Sequence, residues 1–255
     1  MDELTGKAAI VTGASRGIGA ATARDLASRG VAVVLAARSG GGIETIAEEI
    51  RAAGGKAVAC RCDVASYEDV SGIVRTCVDT FGRLDILVNN AGLIEPIARL
   101  ADSDPEHWSH VVDVNLKGVY YSLRAAIPVM VAQGSGTIVN ISSGAATSAL
   151  EGWSHYCSTK AAVLSLTMCV DKEYRDQGIR IVGLSPGTVA TGMQVAIKAS
   201  GINPVSQLDP AVHIPAEWVG RAVTWLCEGG ADDYLGRDFS LKTAEGREAI
   251  GLPAP

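Results

Sequence analysis

Tyr156 and Lys160 stand four residues apart, the separation that puts two side chains on one face of a helix and within reach of a common ligand. A tyrosine with its ordinary pKa of about 10 is a poor base near neutrality, and a neighbouring ammonium favours the phenolate. The pair therefore predicts acid–base chemistry in which the phenol gives or takes a proton and Lys160 tunes it. His155 is a second titratable group beside them. With tyrosine already filling the role, a lone histidine near a helix start reads as structural.

A second constellation lies near the N-terminus. Thr12-Gly13-Ala14-Ser15-Arg16-Gly17-Ile18-Gly19 follows an apolar run and precedes a helical pattern. Glycines there permit a tight turn and close backbone approach to a phosphate, and a helix N-terminus offers free N–H groups with a partial positive charge. A diphosphate is the expected guest. In dinucleotide-binding folds, an acid at the end of the second strand bonds the ribose 2'-hydroxyl of NAD, and a cation there meets the 2'-phosphate of NADP. The stretch Leu35-Ala36-Ala37-Arg38-Ser39 holds no acid. Arg38, with Arg16 from the glycine turn, thus predicts NADP(H).

The elements that would position these groups alternate along the chain. Ala8–Thr12, Val31–Ala37, Ala57–Cys62, Leu84–Val88, Gly136–Ile141 and Ile179–Leu184 read as short buried strands, with Asp238–Leu241 as a last strand. Helical patterns separate them: Ala20–Ala27, a face of Ile43, Ile46 and Ile50 stopped at Gly54-Gly55, Ser66–Phe81, and two long helices over Leu116–Val131 and Ser154–Gln177. Ser103-Asp104-Pro105-Glu106 reads as a further helix start. Parallel strands need crossover connections, so the expected class is α/β, a doubly wound parallel sheet with helices on both faces, the Rossmann fold. Residues 1–255 are expected to form one domain, less regular between Gly192 and Pro215.

The Gly-x-x-x-Gly-x-Gly spacing with Thr12 in front resembles the turn of the short-chain dehydrogenase/reductase family. The resemblance continues through Asn89-Asn90-Ala91-Gly92, Asn115, Ser143, Tyr156-x-x-x-Lys160 and Pro186-Gly187, over about residues 6–191. It implies a catalytic set of Asn115, Ser143, Tyr156 and Lys160. Ser143 would bond the substrate oxygen, Lys160 would also hold the nicotinamide ribose, and Asn115 would help hold a water on the proton path. It further implies cofactor contacts from Gly13, Ser15, Arg16, Gly17, Ile18, Gly19 and Arg38. Asp63 would take the adenine amino group with Val64 beside it, and Asn89, Ala91 and Gly92 would lie by the ribose. Tyr156, Lys160, Pro186, Gly187, Val189 and Thr191 would complete the nicotinamide end. Asn90 could simply fix a strand end, and Asn115 could be a helix cap.

In this family the segment after Thr191 forms a variable lid, here about residues 192–215. Leu150, Trp153 and Met193, with Ser143, are the expected substrate contacts, while Val195, Ile197 and Ile202 read equally as lid or helix core. The family's usual acid and paired glycines after the last strand are missing. Members are often tetramers built on the two long helices and this C-terminal edge. A homo-oligomer is expected here, dimer or tetramer.

Composition narrows the partners. The chain of 255 residues is 47% hydrophobic with a net charge of −6, so it lacks the basic field that nucleic acid or an anionic membrane requires. No apolar run nears the roughly 18 residues of a spanning helix and the first residues do not resemble a leader, so the expectation is a cytoplasmic protein. Six cysteines are too few for a disulfide scaffold, and Cys60-Arg61-Cys62 lacks the second pair a zinc site needs, so no metal is expected. The combined expectation is an NADP(H)-dependent oxidoreductase of the carbonyl reductase or alcohol dehydrogenase type, acting on a small carbonyl or alcohol. Three alternatives stay open: a 3-oxoacyl thioester reductase, as in the similar 3-oxoacyl-[acyl-carrier-protein] reductases; an NADP(H)-binding regulator without turnover; and an epimerase or dehydratase that retains its cofactor.

Overall fold

The computed structural model describes residues 3–255; Met1 and Asp2, which open the segment read for a leader, lie outside the described residues. Among the described residues seven strands form one sheet, β1 (Ala8–Thr12), β2 (Ala32–Ala37), β3 (Ala57–Arg61), β4 (Ile86–Asn89), β5 (Gly136–Ile141), β6 (Ile179–Ser185) and β7 (Asp238–Ser240). Their order is β3-β2-β1-β4-β5-β6-β7 and all six pairings are parallel. The expected doubly wound α/β sheet is therefore present.

The helices are α1 (Gly17–Ser28), α2 (Gly40–Ala52), α3 (Tyr67–Phe81), α4 (Pro105–Val112), α5 (Gly118–Gln133), α6 (Ser154–Tyr174), α7 (Gly192–Ser200), α8 (Ala216–Trp225) and α9 (Ala244–Ala249). They divide the core by strand alternation. Ala9 and Val11 of β1 pack toward Ala23, Leu26, Ile46 and Val223 of α1, α2 and α8. Ala8 and Ile10 pack toward Val74, Leu123 and Val163 of α3, α5 and α6. A sheet covered on both faces explains why the strands read as continuous apolar runs. Cys62 and Cys77 belong to the second layer, where burial pushes both thiols up to about 12.

Caps fix the boundaries. Ser66 accepts the amide of Asp69 at the start of α3, Asp104 accepts that of His107 at the start of α4, and Gly82, at φ 77°, ends α3 in the left-handed conformation open to glycine. Two expectations change. The helix predicted to begin at Leu116 is continuous with the one begun at Pro105, because Asp113–Lys117 forms a π turn joining α4 to α5. The segment expected to be irregular opens with the regular helix α7, followed by two 3₁₀ turns and a bridge from Ile214 back to Val189.

The short last strand is anchored by Phe239, fully buried with its ring 5.1 Å from Trp225 and 4.9 Å from Tyr234. Phe239→Ala should lower unfolding free energy by about 3–5 kcal/mol, the cost of deleting a packed aromatic. Chemical denaturation measures it, with far-UV circular dichroism of the folded baseline retained.

Candidate active site

β1 connects outward to β2, and β4 begins the opposite half of the sheet. Their C-terminal ends diverge at the switch point where ligands of open α/β sheets bind. Two side chains hold that point. The buried Thr12 hydroxyl donates to Val88 O at 3.3 Å and accepts the amides of Asn90 at 3.0 Å and Ala91 at 3.1 Å. Asn90 Nδ2 donates back to Thr12 O at 2.9 Å and Gly13 O at 3.1 Å. Asn90 thus fixes the glycine turn as well as the end of its own strand.

Gly13 has φ 64°, and a Cβ there would lie 2.9 Å from Ala91 Cα, so the β1 turn and the β4 turn touch through a position only glycine fills comfortably. α1 begins at Gly17 with no side-chain cap and no acid in its first turn. Its first N–H groups are therefore available, which suits a diphosphate. Gly17 faces Thr191, whose Cγ2 would sit 3.2 Å from an added Cβ. The glycine turn and the Pro186–Thr191 segment beyond β6 are thereby neighbours. Within that segment Pro186 and Val189 are buried, and Gly187 is held at φ 79° against the stem of Lys242. These features fit a bound dinucleotide.

The arginines occupy different places. Arg16, exposed, lines a cavity of about 540 Å³ with Ser15, Gly17, Thr45 and Ala216. Arg38, also exposed, lines a second of about 550 Å³ with Arg61, Asp63 and Asp69. The structure does not bring the two predicted arginines into one cavity; it sets Arg38 beside Arg61 instead. Arg61 escaped the sequence reading because its register opposite Ala37 exists only once β2 and β3 pair. Asp63 Oδ1 accepts the Ala65 amide at 3.0 Å. Val64 packs on Gly118, where a Cβ would meet its Cγ2 at 2.9 Å.

Asn89 and Asn115 behave differently from their neighbours. The Asn89 side chain turns into the interior, donating to Asn140 Oδ1 at 2.9 Å, and Asn140 donates onward to Thr167 at 2.9 Å; only its backbone faces the strand end. Asn115 lies inside the π turn and is no helix cap. Its amide pairs with both backbone groups of Leu93 at 2.8 Å and reaches Thr159 Oγ1 at 3.4 Å. The turn that breaks the helix ladder thus ties α4–α5 to the Asn89–Leu93 segment and to α6. Gly92 lies close to this amide: an added Cβ would stand 3.5 Å from Asn115 Oδ1.

Ser143 leaves the end of β5, and Tyr156 and Lys160 occupy the first turns of α6, both buried. Burial pushes Tyr156 up to about 12, opposed by a hydrogen bond with Ser143. Burial also holds Lys160 down at about 8, opposed by the charge of Asp238. The Lys160 ammonium donates to Ile141 O at 2.6 Å and lies 5.6 Å from the Tyr156 ring centre. Desolvation outweighs the hydrogen bond with Ser143, so Tyr156 stands above the ordinary value for a tyrosine.

An apolar wall surrounds the phenol. Trp153 meets the Tyr156 ring edge-on at 5.7 Å, and Ile94, Ala145 and Ile197 join them, with Leu150 and Met193 packed alongside. Ile202 covers Gly152, whereas Val195 is 71% exposed and belongs to no wall. Asn203 Nδ2 donates to Glu151 O at 2.9 Å, tying the segment after α7 to the loop before α6. His155 is wholly buried; its Nε2 lies 2.8 Å from Ile94 O, and burial lowers its pKa. It holds the wall in place, as the sequence suggested.

The comparisons agree with this arrangement. The short chain dehydrogenase family profile matches residues 7–200. A 3-oxoacyl-[acyl-carrier-protein] reductase of Synechocystis sp. is 37% identical over 244 residues, covering 94% of this chain and 97% of its own. A cyclohexanol dehydrogenase of Acinetobacter sp. is 38% identical over 246 residues, covering 95% and 96%. Among solved structures, an NAD+-bound xylitol dehydrogenase superposes with a TM-score of 0.86 at 27% identity, covering 94% of this chain and 98% of that one. With the sheet order, the glycine turn and the Ser143, Tyr156 and Lys160 cluster, these matches place the chain in the short-chain dehydrogenase/reductase family of nicotinamide-dependent oxidoreductases.

Proposed function

We propose that this oxidoreductase is an NADP(H)-dependent carbonyl reductase or alcohol dehydrogenase acting on a small or medium ketone or secondary alcohol. The observation that carries the reading is the buried Tyr156 phenol, set against an apolar wall with the Lys160 ammonium 5.6 Å from its ring centre. A nicotinamide supplies or accepts the hydride. Tyr156 Oη gives its proton to the developing alkoxide, Ser143 holds that oxygen, and the Lys160 charge stabilises the phenolate left behind. Asn115 steadies Leu93 and Thr159 around the lysine. Leu150, Trp153 and Met193 contact substrate, and residues 192–215 act as the lid of a single domain. Oxidation is the same path reversed. The Synechocystis relative supports 3-oxoacyl thioester reduction as a second reading.

NADP(H) is favoured by Arg38 and Arg61 lining one cavity and by Ala37 standing where a carboxylate would repel the 2'-phosphate. Free cysteines, Cys169 exposed among them, suit a reducing cytoplasm. Tyr120 on α5 and Met168 on α6, both about half exposed, suit a helix-face contact between copies, and a dimer or tetramer is proposed. No helix among the described residues is long and apolar enough to cross a membrane.

A ketone and alcohol panel with each cofactor tests the reaction. Tyr156→Phe should reduce turnover by roughly 10²-fold or more while leaving cofactor affinity nearly intact, the mark of lost acid catalysis; near-normal turnover would remove the proton-transfer assignment.

The pH dependence follows from the shifts. A phenol raised to about 12 stays protonated through neutrality, so reduction should change little with pH below neutrality, while alcohol oxidation, which needs the phenolate, should rise with pH. Lys160 loses its charge as pH passes about 8, so the oxidation rate should bend over above that value. Rate profiles in both directions check the sign, and oxidation that falls as pH rises from 6 to 8 contradicts it.

Cofactor preference is the third test. Charge-assisted bonds contribute about 1.5–3 kcal/mol each, so Ala37→Asp with Arg38→Leu should reduce or reverse a wild-type preference for NADPH. The change should fall mainly on the cofactor KM, because the 2'-phosphate is remote from the reacting carbon. Arg61→Ala should show a smaller loss of the same kind. Kinetics with both cofactors at one salt concentration settle it; an NADH preference in wild type overturns the cofactor assignment.

A further inference from the structure

Behind the Lys160 ammonium lies a carboxylate that family resemblance did not mark. Asp238 is the first residue of β7 and pairs in register with Gly183 of β6. A Cβ on Gly183 would collide with the Asp238 carboxylate, so its side chain crosses β6 through the gap a glycine leaves. It ends at β5, where the buried Ser142 hydroxyl donates to Asp238 Oδ2 at 2.6 Å. Asp238 Oδ1 is buried with no hydrogen-bond partner. Ser142 follows Ile141, whose carbonyl receives the Lys160 ammonium at 2.6 Å.

We propose that Asp238 is a positioning residue for the reaction: held by Ser142 over Gly183, its carboxylate keeps the buried Lys160 charged and so keeps Tyr156 able to exchange its proton. This rests on the functional reading above. The charge of a lysine only 6% exposed is costly without an opposite charge, and one neutral carbonyl does not supply it. Tyr156 lies on the lysine's own helix; β5 and β6 present the neutral Ser142 and Gly183. In the π turn, Asp113 and Lys117 pair with each other at 2.8 Å, partly exposed. Lys242, beyond β7, is exposed with its ammonium near Gly144, where solvent screens it. Asp238 is left as the carboxylate that acts on Lys160, raising its pKa against burial. Reciprocally, Ser142 and Lys160 restrain the upward shift that burial gives Asp238.

Asp238→Asn tests this, since the amide oxygen still accepts from Ser142 while the charge is gone. Two readouts are needed. The ¹⁵N-detected titration of the Lys160 ammonium requires no substrate and should move down by about half a unit or more. In alcohol oxidation, the bend that marks loss of the Lys160 charge should move down by a similar amount, because the phenolate loses its stabilising cation at lower pH. Asp238→Thr, smaller and also able to accept from Ser142, should do the same and stands in if the amide variant melts early. A Lys160 titration and an oxidation profile with wild-type midpoints in a folded variant, whatever the height of the rate, would overturn the proposal. If wild type turns over no ketone or alcohol, the functional reading fails, while the lysine titration still decides the role of Asp238.

Discussion

Two strands that leave the middle of a parallel sheet in opposite topological directions must part at their C-terminal ends, and the peptide groups there lose their ladder partners. Thr12 and Asn90 supply the missing partners across that gap, each bonding the other's backbone. Because they do, the glycine turn can stay open and still be fixed, and α1 can begin with bare N–H groups. The turn after β4, the π turn through Asn115 and the segment after β6 are all arranged around this opened seam. A crevice held by hydrogen bonds rather than filled by side chains is what a bound dinucleotide requires.

The other half of the site is governed by desolvation. Tyr156 and Lys160 sit where water is largely excluded, and burial shifts both toward their neutral forms, the phenol up to about 12 and the amine down to about 8. Their neighbours work against that shift, Ser143 on the tyrosine and Asp238 on the lysine. The result is a pair that differs from both the free side chains and the simple ion pair suggested by a spacing of four. The charge of the lysine thus depends on groups spread over three strands.

Tertiary pairing also explains which boundaries moved. The break between α4 and α5 is invisible to apolar periodicity, since a π turn inserts one residue into the hydrogen-bond ladder without changing composition. Its cause lies elsewhere in the chain, in the Leu93 backbone that Asn115 engages. The segment after Thr191 reads as irregular because its apolar residues serve two surfaces; only when Met193 and Ile197 meet Trp153 and Tyr156 does α7 gain the face that makes it a helix.

The sequence by itself determined the alternation of strand and helix, the glycine turn and the Tyr156, Lys160 spacing, because local patterns carry that information along the chain, and family resemblance added Ser143. It also marked Arg38 and the absence of an acid at Ala37. Only the tertiary structure decided that Arg61 stands beside Arg38 while Arg16 lines another cavity, that Asn89 turns inward to Asn140, and that Asp238 reaches Ser142. Asp238 and Ser142 are 96 residues apart in the chain, and their meeting depends on a parallel register and on a missing Cβ at Gly183 between them. Long-range register is set by the packing of whole elements, so no local spacing could have announced it.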